Sequence, residues 1–214
     1  MAVEAVVFDI GNVLIEWQPE RFYDREIGQA AREAMFAEVD LHGMNDRVDA
    51  GENWRDTVYD WAARYPDHET AIRMWHDRWI ELAAPVIPHS VQLLRRLRAK
   101  GVPVFALTNF GIESFAYAKS IYRFLEEFDR PYVSGHMGLI KPDPSIYAAV
   151  EADCGLPSAT LLFADDRAEN IAAAEARGWQ GHVFTNPQGW ADRLVAEGLL
   201  TEAEAAFAHG EHPL

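Results

Sequence analysis

Five short apolar runs recur along the chain: Val3–Phe8, Pro103–Leu107, Pro131–Ser134, Leu161–Ala164 and Gly181–Phe184. Each is too short for a helix and almost free of charge, the pattern of a strand buried on both faces. Between most of them the period lengthens to that of a helix. In "HSVQLLRRLRAKG", Val91, Leu94 and Leu97 share a face and Gly101 closes the segment. "AENIAAAEARG" ends in the same way at Gly178. A glycine just past the last helical turn is a common stop. From Pro88 onward strand and helix alternate, which predicts a parallel sheet flanked by helices.

The stretch from Glu16 to Pro85 breaks this alternation. "ENWRDTVYDWAARY" sets Trp54, Val58, Trp61 and Tyr65 on one stripe, and "ETAIRMWHDRWIEL" continues with Ile72, Trp75, Trp79 and Leu82. Nothing in it reads as a strand. The expectation is an α/β fold: a Rossmann-like doubly wound parallel sheet, residues 1–15 and 86–214, with an all-helical domain, residues 16–85, inserted after the first strand. Trp17, Trp54, Trp61, Trp75 and Trp79 all fall in the insertion. Core of a small helical bundle is the ordinary role for such residues, and a share in a substrate pocket is the alternative. The tail "EAEAAFAHGEHPL" reads as a last helix with a frayed end, and its His209 and His212 read as solvated rather than metal-binding.

A chain of 214 residues with a formal charge of −15 lacks the basic stripe that a nucleic-acid partner requires. An anionic substrate would need a specific lysine or a metal to receive it. No window approaches the roughly 18 apolar residues of a membrane span. No secretory leader is visible at the N-terminus. Cys154 is the single cysteine, so no disulfide forms within the chain and a reducing, cytoplasmic setting is expected.

The chemistry-bearing residues stand at strand ends. Asp9 ends the first strand in "VVFDIGNVL"; Thr108 and Asn109 end the second in "VFALTNFG". Lys141 follows the third in "GLIKPDPSIY", and Asp165 and Asp166 end the fourth in "LLFADDRAEN". In a doubly wound sheet these points open on one crevice, where ligands bind. Singly, each has an ordinary explanation as a cap, turn or loop residue. Together, three neighbouring acids would repel one another without a cation. Carboxylates with no His or Cys beside them suit a hard ion, Mg²⁺ rather than Zn²⁺.

"FDIGNVL", "LTN", "KPDPSIY" and "FADDRAEN", in this order on successive strand ends, resemble the four motifs of the haloacid dehalogenase-like (HAD) hydrolase superfamily. The helical insertion is similar to that family's first-position cap. The resemblance implies that Asp9 is a nucleophile that forms an aspartyl-phosphate. Thr108, with the backbone of Asn109, would hold phosphoryl oxygens, and Lys141 would stabilise both nucleophile and phosphate. Asp166 would be the principal metal-binding acid and Asp165 an adjacent ligand or an acid just behind it. With Mg²⁺ held by Asp9, Gly11, Asp165 and Asp166, the implied reaction is hydrolysis of a small phosphorylated metabolite.

One position departs from the pattern. Family phosphatases carry an acid two residues after the nucleophile as proton donor, and here that place is Gly11. Its backbone carbonyl is retained, so the metal site survives. General acid catalysis, typically worth about 10² to 10⁴ in rate, does not. The "D-x-G-N-V" branch resembles sugar-phosphate phosphatases that work without this acid. The alternatives are a haloacid dehalogenase, with Asp9 attacking carbon, and a phosphometabolite-binding module without turnover. A dehalogenase needs no metal, which the Asp165–Asp166 pair argues against. Glu16 and His42 are minor candidates for replacing the missing acid, and Asn12 is expected to shape the turn.

Overall fold

The computed structural model describes residues 2–210; His212 lies outside them. Five strands form one all-parallel sheet: β1 (Ala5–Phe8), β2 (Val104–Thr108), β3 (Arg130–Val133), β4 (Leu161–Asp165) and β5 (Gln180–Val183), in the order β3-β2-β1-β4-β5. The order reverses on either side of β1, so the chain doubles back there and leaves a crevice at the strands' C-terminal ends. Each strand lies within two residues of its predicted place. β1 begins at Ala5 because pairing with Leu161 begins there. Ser134, expected in β3, instead opens a short helix, Ser134–Met137.

Alternate strand residues serve two buried layers, as a pleated strand requires. Val6, Phe8, Val104 and Ala106 face Val91 and Leu94 of helix Pro88–Ala99 and Trp190 of helix Pro187–Ala196. Ala5, Val7, Leu107 and Phe163 face Ile146 and Tyr147 of helix Pro144–Cys154 and Ile171 of helix Ala168–Glu175. Gly101 and Gly178 take the left-handed backbone that ends their helical segments (φ 77° and 92°).

From Pro19 to Leu82 the chain is helical: Pro19–Ile27, Gln29–Glu38, Leu41–Asp49, Trp54–Ala62, Glu69–Asp77 and Trp79–Leu82, with a 3-10 turn at Pro66–His68. The second predicted stripe is split at Arg78, whose φ of −125° leaves helical geometry, and Arg78 bonds Glu26 and Glu81 there. The fold is therefore a doubly wound α/β core with an inserted helical cap. The chain's exit and return run side by side: Glu16 N–H donates to Pro85 O (2.9 Å) and Ile87 N–H to Leu14 O (2.8 Å). The insertion's apolar residues, from Phe22 to Leu82, are continuous with the first core layer. Among the described residues no helix is long and apolar enough to cross a membrane.

Candidate active site

Asp9 continues β1 by one residue, its N–H donating to Ala164 O (2.9 Å). The turn beyond it depends on Asn12, which sits in the left-handed region (φ 54°) that asparagine tolerates better than most side chains. Asn12 Oδ1 accepts from the N–H of Trp17 (2.9 Å) and from Gln18 Nε2 (3.2 Å). Its Nδ2 donates to Asp166 Oδ2 (2.9 Å), so Asn12 shapes the turn and also ties it to the end of β4.

Lys141 is 3% exposed, with its ammonium between two acids: 3.0 Å from Asp9 Oδ1 and 2.6 Å from Asp165 Oδ2. A third bond goes to Leu107 O (2.8 Å). Its backbone is clamped by the Asn109 side chain, which donates to Lys141 O (2.9 Å) and accepts from Lys141 N–H (2.8 Å). The Asn109 amide is thus committed to positioning the lysine, while Thr108 beside it is buried and lines the cavity. Asp165 is fully buried, and donors surround both its oxygens: the Arg167 N–H (2.8 Å), Asn170 Nδ2 (3.0 Å to each oxygen) and Lys141. Asp166 is more open.

Asp9, Asp165 and Asp166 each present a carboxylate oxygen within 4.8 Å of the others. One ammonium does not balance three such acids. Burial, with repulsion from Asp165 and Asp166 and against the pull of Lys141, lifts Asp9 to about 7. Burial also raises Asp166, against its bond from Asn12. Burial works against the Lys141 ammonium, but the carboxylates of Asp165 and Asp9 outweigh it and hold Lys141 above the ordinary lysine value. An all-oxygen donor set with uncompensated negative charge is the chemistry of a hard divalent cation.

Asp9, Lys141 and Asp166 form the floor of a cavity of about 190 Å³, with Asp165 buried out of it. Its walls come from the insertion and from the loop after β2: Trp17, Trp54 and Trp79 with Phe110. The five insertion tryptophans therefore divide. Trp75 is core (1% exposed), Trp61 is partly buried against the core, Trp17 is partly buried and lines the cavity, and Trp54 and Trp79 are buried yet also face it. Glu16 lines the cavity but pairs with Arg21 (2.6 Å). His42 lies at its exposed rim, 3.7 Å from Glu20. Gly11 lines the floor, and a methyl placed there would meet only Trp17 Cβ, at 3.9 Å.

Sequence reasoning missed Asn45, Asp46 and Asp49 of helix Leu41–Asp49, which reach the same cavity. The available signal was polar residues one turn apart in "NDRVDAG", a segment without strand or bundle periodicity.

Comparisons with known proteins agree with this geometry. A HAD family enzyme of Bacteroides thetaiotaomicron, solved in complex with magnesium and inorganic phosphate, superposes with a TM-score of 0.65 at 25% identity, covering 86% of this chain and 95% of that one. The L-2-haloacid dehalogenase of Xanthobacter autotrophicus shares the fold alone: TM-score 0.60, 17% identity, 95% of this chain and 86% of that one. A sesquiterpene phosphatase of Aspergillus oryzae is 34% identical over 94 residues, 44% of this chain and 48% of the relative. In each of three curated relatives it matches, that one included, the chain spans less than half of the relative's length. The family model of haloacid dehalogenase-like hydrolases matches residues 3–178, and the chain belongs to that family of hydrolases.

Proposed function

We propose that the chain is a Mg²⁺-dependent phosphatase that hydrolyses a small phosphorylated metabolite through an aspartyl-phosphate on Asp9. The observation that carries this reading is the Asp9–Lys141–Asp165 ion cluster, with Asp166 beside it, at the C-terminal edge of the sheet. The magnesium- and phosphate-bound relative supports the cation and the phosphoryl group, and the sesquiterpene phosphatase supports the reaction class.

In this reading Asp9 attacks phosphorus in line with the ester oxygen, splitting one difficult displacement into two easier ones. Lys141, held by Asn109 and Asp165, keeps positive charge beside the nucleophile and the phosphoryl oxygens. Thr108 and the backbone of Asn109 hold those oxygens in place. Asp9, Asp166 and the Gly11 carbonyl would hold Mg²⁺, which when bound neutralises charge on the transferring group. Asp165, with donors at both oxygens, acts chiefly as the anchor of Lys141.

Residues 16–85 serve as the cap that closes over residues 1–15 and 86–214, excluding water and selecting the leaving group. The paired exit and return at Glu16 and Pro85 support that boundary. Aromatic walls with carboxylates between them suit a compact ester whose alcohol has both apolar and hydroxyl-bearing faces, a sugar phosphate among others. A dehalogenase needs no metal and would have no use for Asp166 as a metal ligand.

The test is phosphate release from p-nitrophenyl phosphate with Mg²⁺ or chelator, followed by a panel of sugar and isoprenoid phosphates. Activity should require Mg²⁺ and vanish in Asp9→Asn. Turnover that survives that substitution or ignores chelator would refute the mechanism, and metal-independent halide release from 2-chloropropionate would establish the dehalogenase instead.

A further inference from the structure

Gly11 leaves the reaction without its usual proton donor, yet the insertion brings further carboxyls, Asp46 and Asp49, to the cavity. Asp49 ends helix Leu41–Asp49 of the insertion and lines the cavity. Ser134 Oγ donates to Asp49 O (2.6 Å) and itself accepts from the Phe110 N–H (2.8 Å), tying Asp49 to the loops after β2 and β3. The approach is close: a methyl at Gly111 would lie 2.5 Å from Val48 Cγ1, and one at Gly51 would lie 2.8 Å from Gly135 O. These contacts fix the end of the helix against Gly111, Ser134 and Gly135.

The side chain is held as firmly as the backbone. Trp75 Nε1 donates to Asn45 Oδ1 (2.9 Å), which turns the Asn45 amide so that Nδ2 donates to Asp49 Oδ2 (2.8 Å). Around the carboxyl stand Asp46 on its own helix, Asp9 from the end of β1, Lys141 from the loop after β3 and the Gly111 N–H. No cation pairs with it directly among the described residues. Burial first, then repulsion from Asp46 and Asp9, raise it above the ordinary carboxylate value, the direction a proton donor needs.

We propose that Asp49, carried into the cavity by the insertion, is the acid–base residue that replaces the one missing at position 11. This rests on the phosphatase reading above. As Asp9 attacks, the bond from phosphorus to the ester oxygen breaks and the Asp49 carboxyl gives its proton to that oxygen, so the alcohol leaves neutral. A water molecule then attacks the aspartyl-phosphate; Asp49, now a carboxylate, takes one of its protons. Hydrogen phosphate departs, and Asp9 and Asp49 return to their starting states.

A proton donor matters in proportion to how poor the leaving group is. Nitrophenolate leaves unprotonated, whereas an alkoxide does not. The Asp49→Asn variant, nearly isosteric, should therefore slow the first step, alcohol release in a single turnover, on the best alkyl phosphate of the panel by about 10² to 10⁴, while the burst of nitrophenolate from p-nitrophenyl phosphate keeps its rate, which also reports that the site is folded. Placing the acid where the family keeps it, in Gly11→Asp/Asp49→Asn, should restore much of the alkyl-ester rate, since position 11 has room for a side chain. Equal losses of the first-step rate on both esters, no loss on either, or the selective loss appearing in Asp46→Asn instead would overturn the proposal. So would an enzyme that cleaves the aryl ester but no alkyl ester. Inactivity of the unaltered protein on every ester with Mg²⁺ would refute the phosphatase reading itself.

Discussion

Replacing Lys141 by methionine removes a charge and leaves most of the volume. At the distances seen, 2.6 Å to Asp165 and 3.0 Å to Asp9, each attraction is roughly 6 kcal/mol at an effective dielectric of about 20. Desolvation of three buried groups offsets much of that in the intact protein. The variant keeps the desolvated carboxylates and loses their partner, a situation that costs about 3–5 kcal/mol. For a chain of this size each kcal/mol moves the melting temperature by about 2–4 °C, so Lys141→Met should melt roughly 6–20 °C lower. Thermal and urea unfolding at pH 7 with chelator present would measure this without metal in the balance. The decisive arm is the double variant Lys141→Met/Asp165→Asn. Removing the orphaned charge should return part of the stability, giving a coupling near the top of the usual range of about 0.5–3 kcal/mol for residues in contact. Strictly additive losses would refute the view that Lys141 and Asp165 form one buried electrostatic unit.

Asn12→Ala removes the bond to Asp166 and places alanine at a positive φ; magnesium titrations should show the concentration for half-maximal activity rising by about 10- to 100-fold, as for other residues that orient a metal ligand. Gly135→Ala would bring a methyl to 2.8 Å from Phe110 O and 2.9 Å from Ile112 N, backbone atoms that have little room to yield, so its melting temperature and activity should both fall. Asp49 is lifted to about 8, against about 4 for an ordinary aspartate. Between those values unfolding releases its proton, so its stabilisation is full below about pH 4 and drains as pH rises through about 8. Melting curves at pH 5, 7 and 9 should show Asp49→Asn gaining on the unaltered protein as pH rises; a constant difference would contradict the assignment.

The strands and the acids at their ends were legible because a parallel sheet makes a linear pattern into a spatial one. Once β1, β2 and β4 are recognised as buried runs, Asp9, Thr108 and Asp165 must share an edge. The helical content of the insertion was equally legible from its apolar spacing. What the pattern did not carry was the direction in which side chains turn after the strand ends. Asn109 reads as a backbone contact to phosphate, and its side-chain amide has a second task, clamping the Lys141 backbone, a bond across 32 residues that no local spacing encodes. Trp54 and Trp79 read as bundle core, and they are, but a large ring can be buried on one side and line a cavity on the other. Asp49 was invisible for a related reason. Its neighbours Gly51, Gly111 and Gly135 make a close backbone contact between insertion and core, and only the folded chain brings them together.

That contact changes how the chemistry is controlled. An acid two residues beyond Asp9 would sit on the same turn as the nucleophile and be in place whether or not anything covered the crevice. Asp49 is in place only while helix Leu41–Asp49 rests on the loops after β2 and β3, through Ser134 and the facing glycines. A site with its nucleophile on the sheet and its proton donor on the cap is complete only when the two halves meet, which is also when water is excluded. Under this arrangement the loss of the acid at Gly11 is a relocation rather than a defect: proton transfer to the leaving group becomes conditional on closure, and an ester that fails to seat the cap meets a nucleophile without its acid.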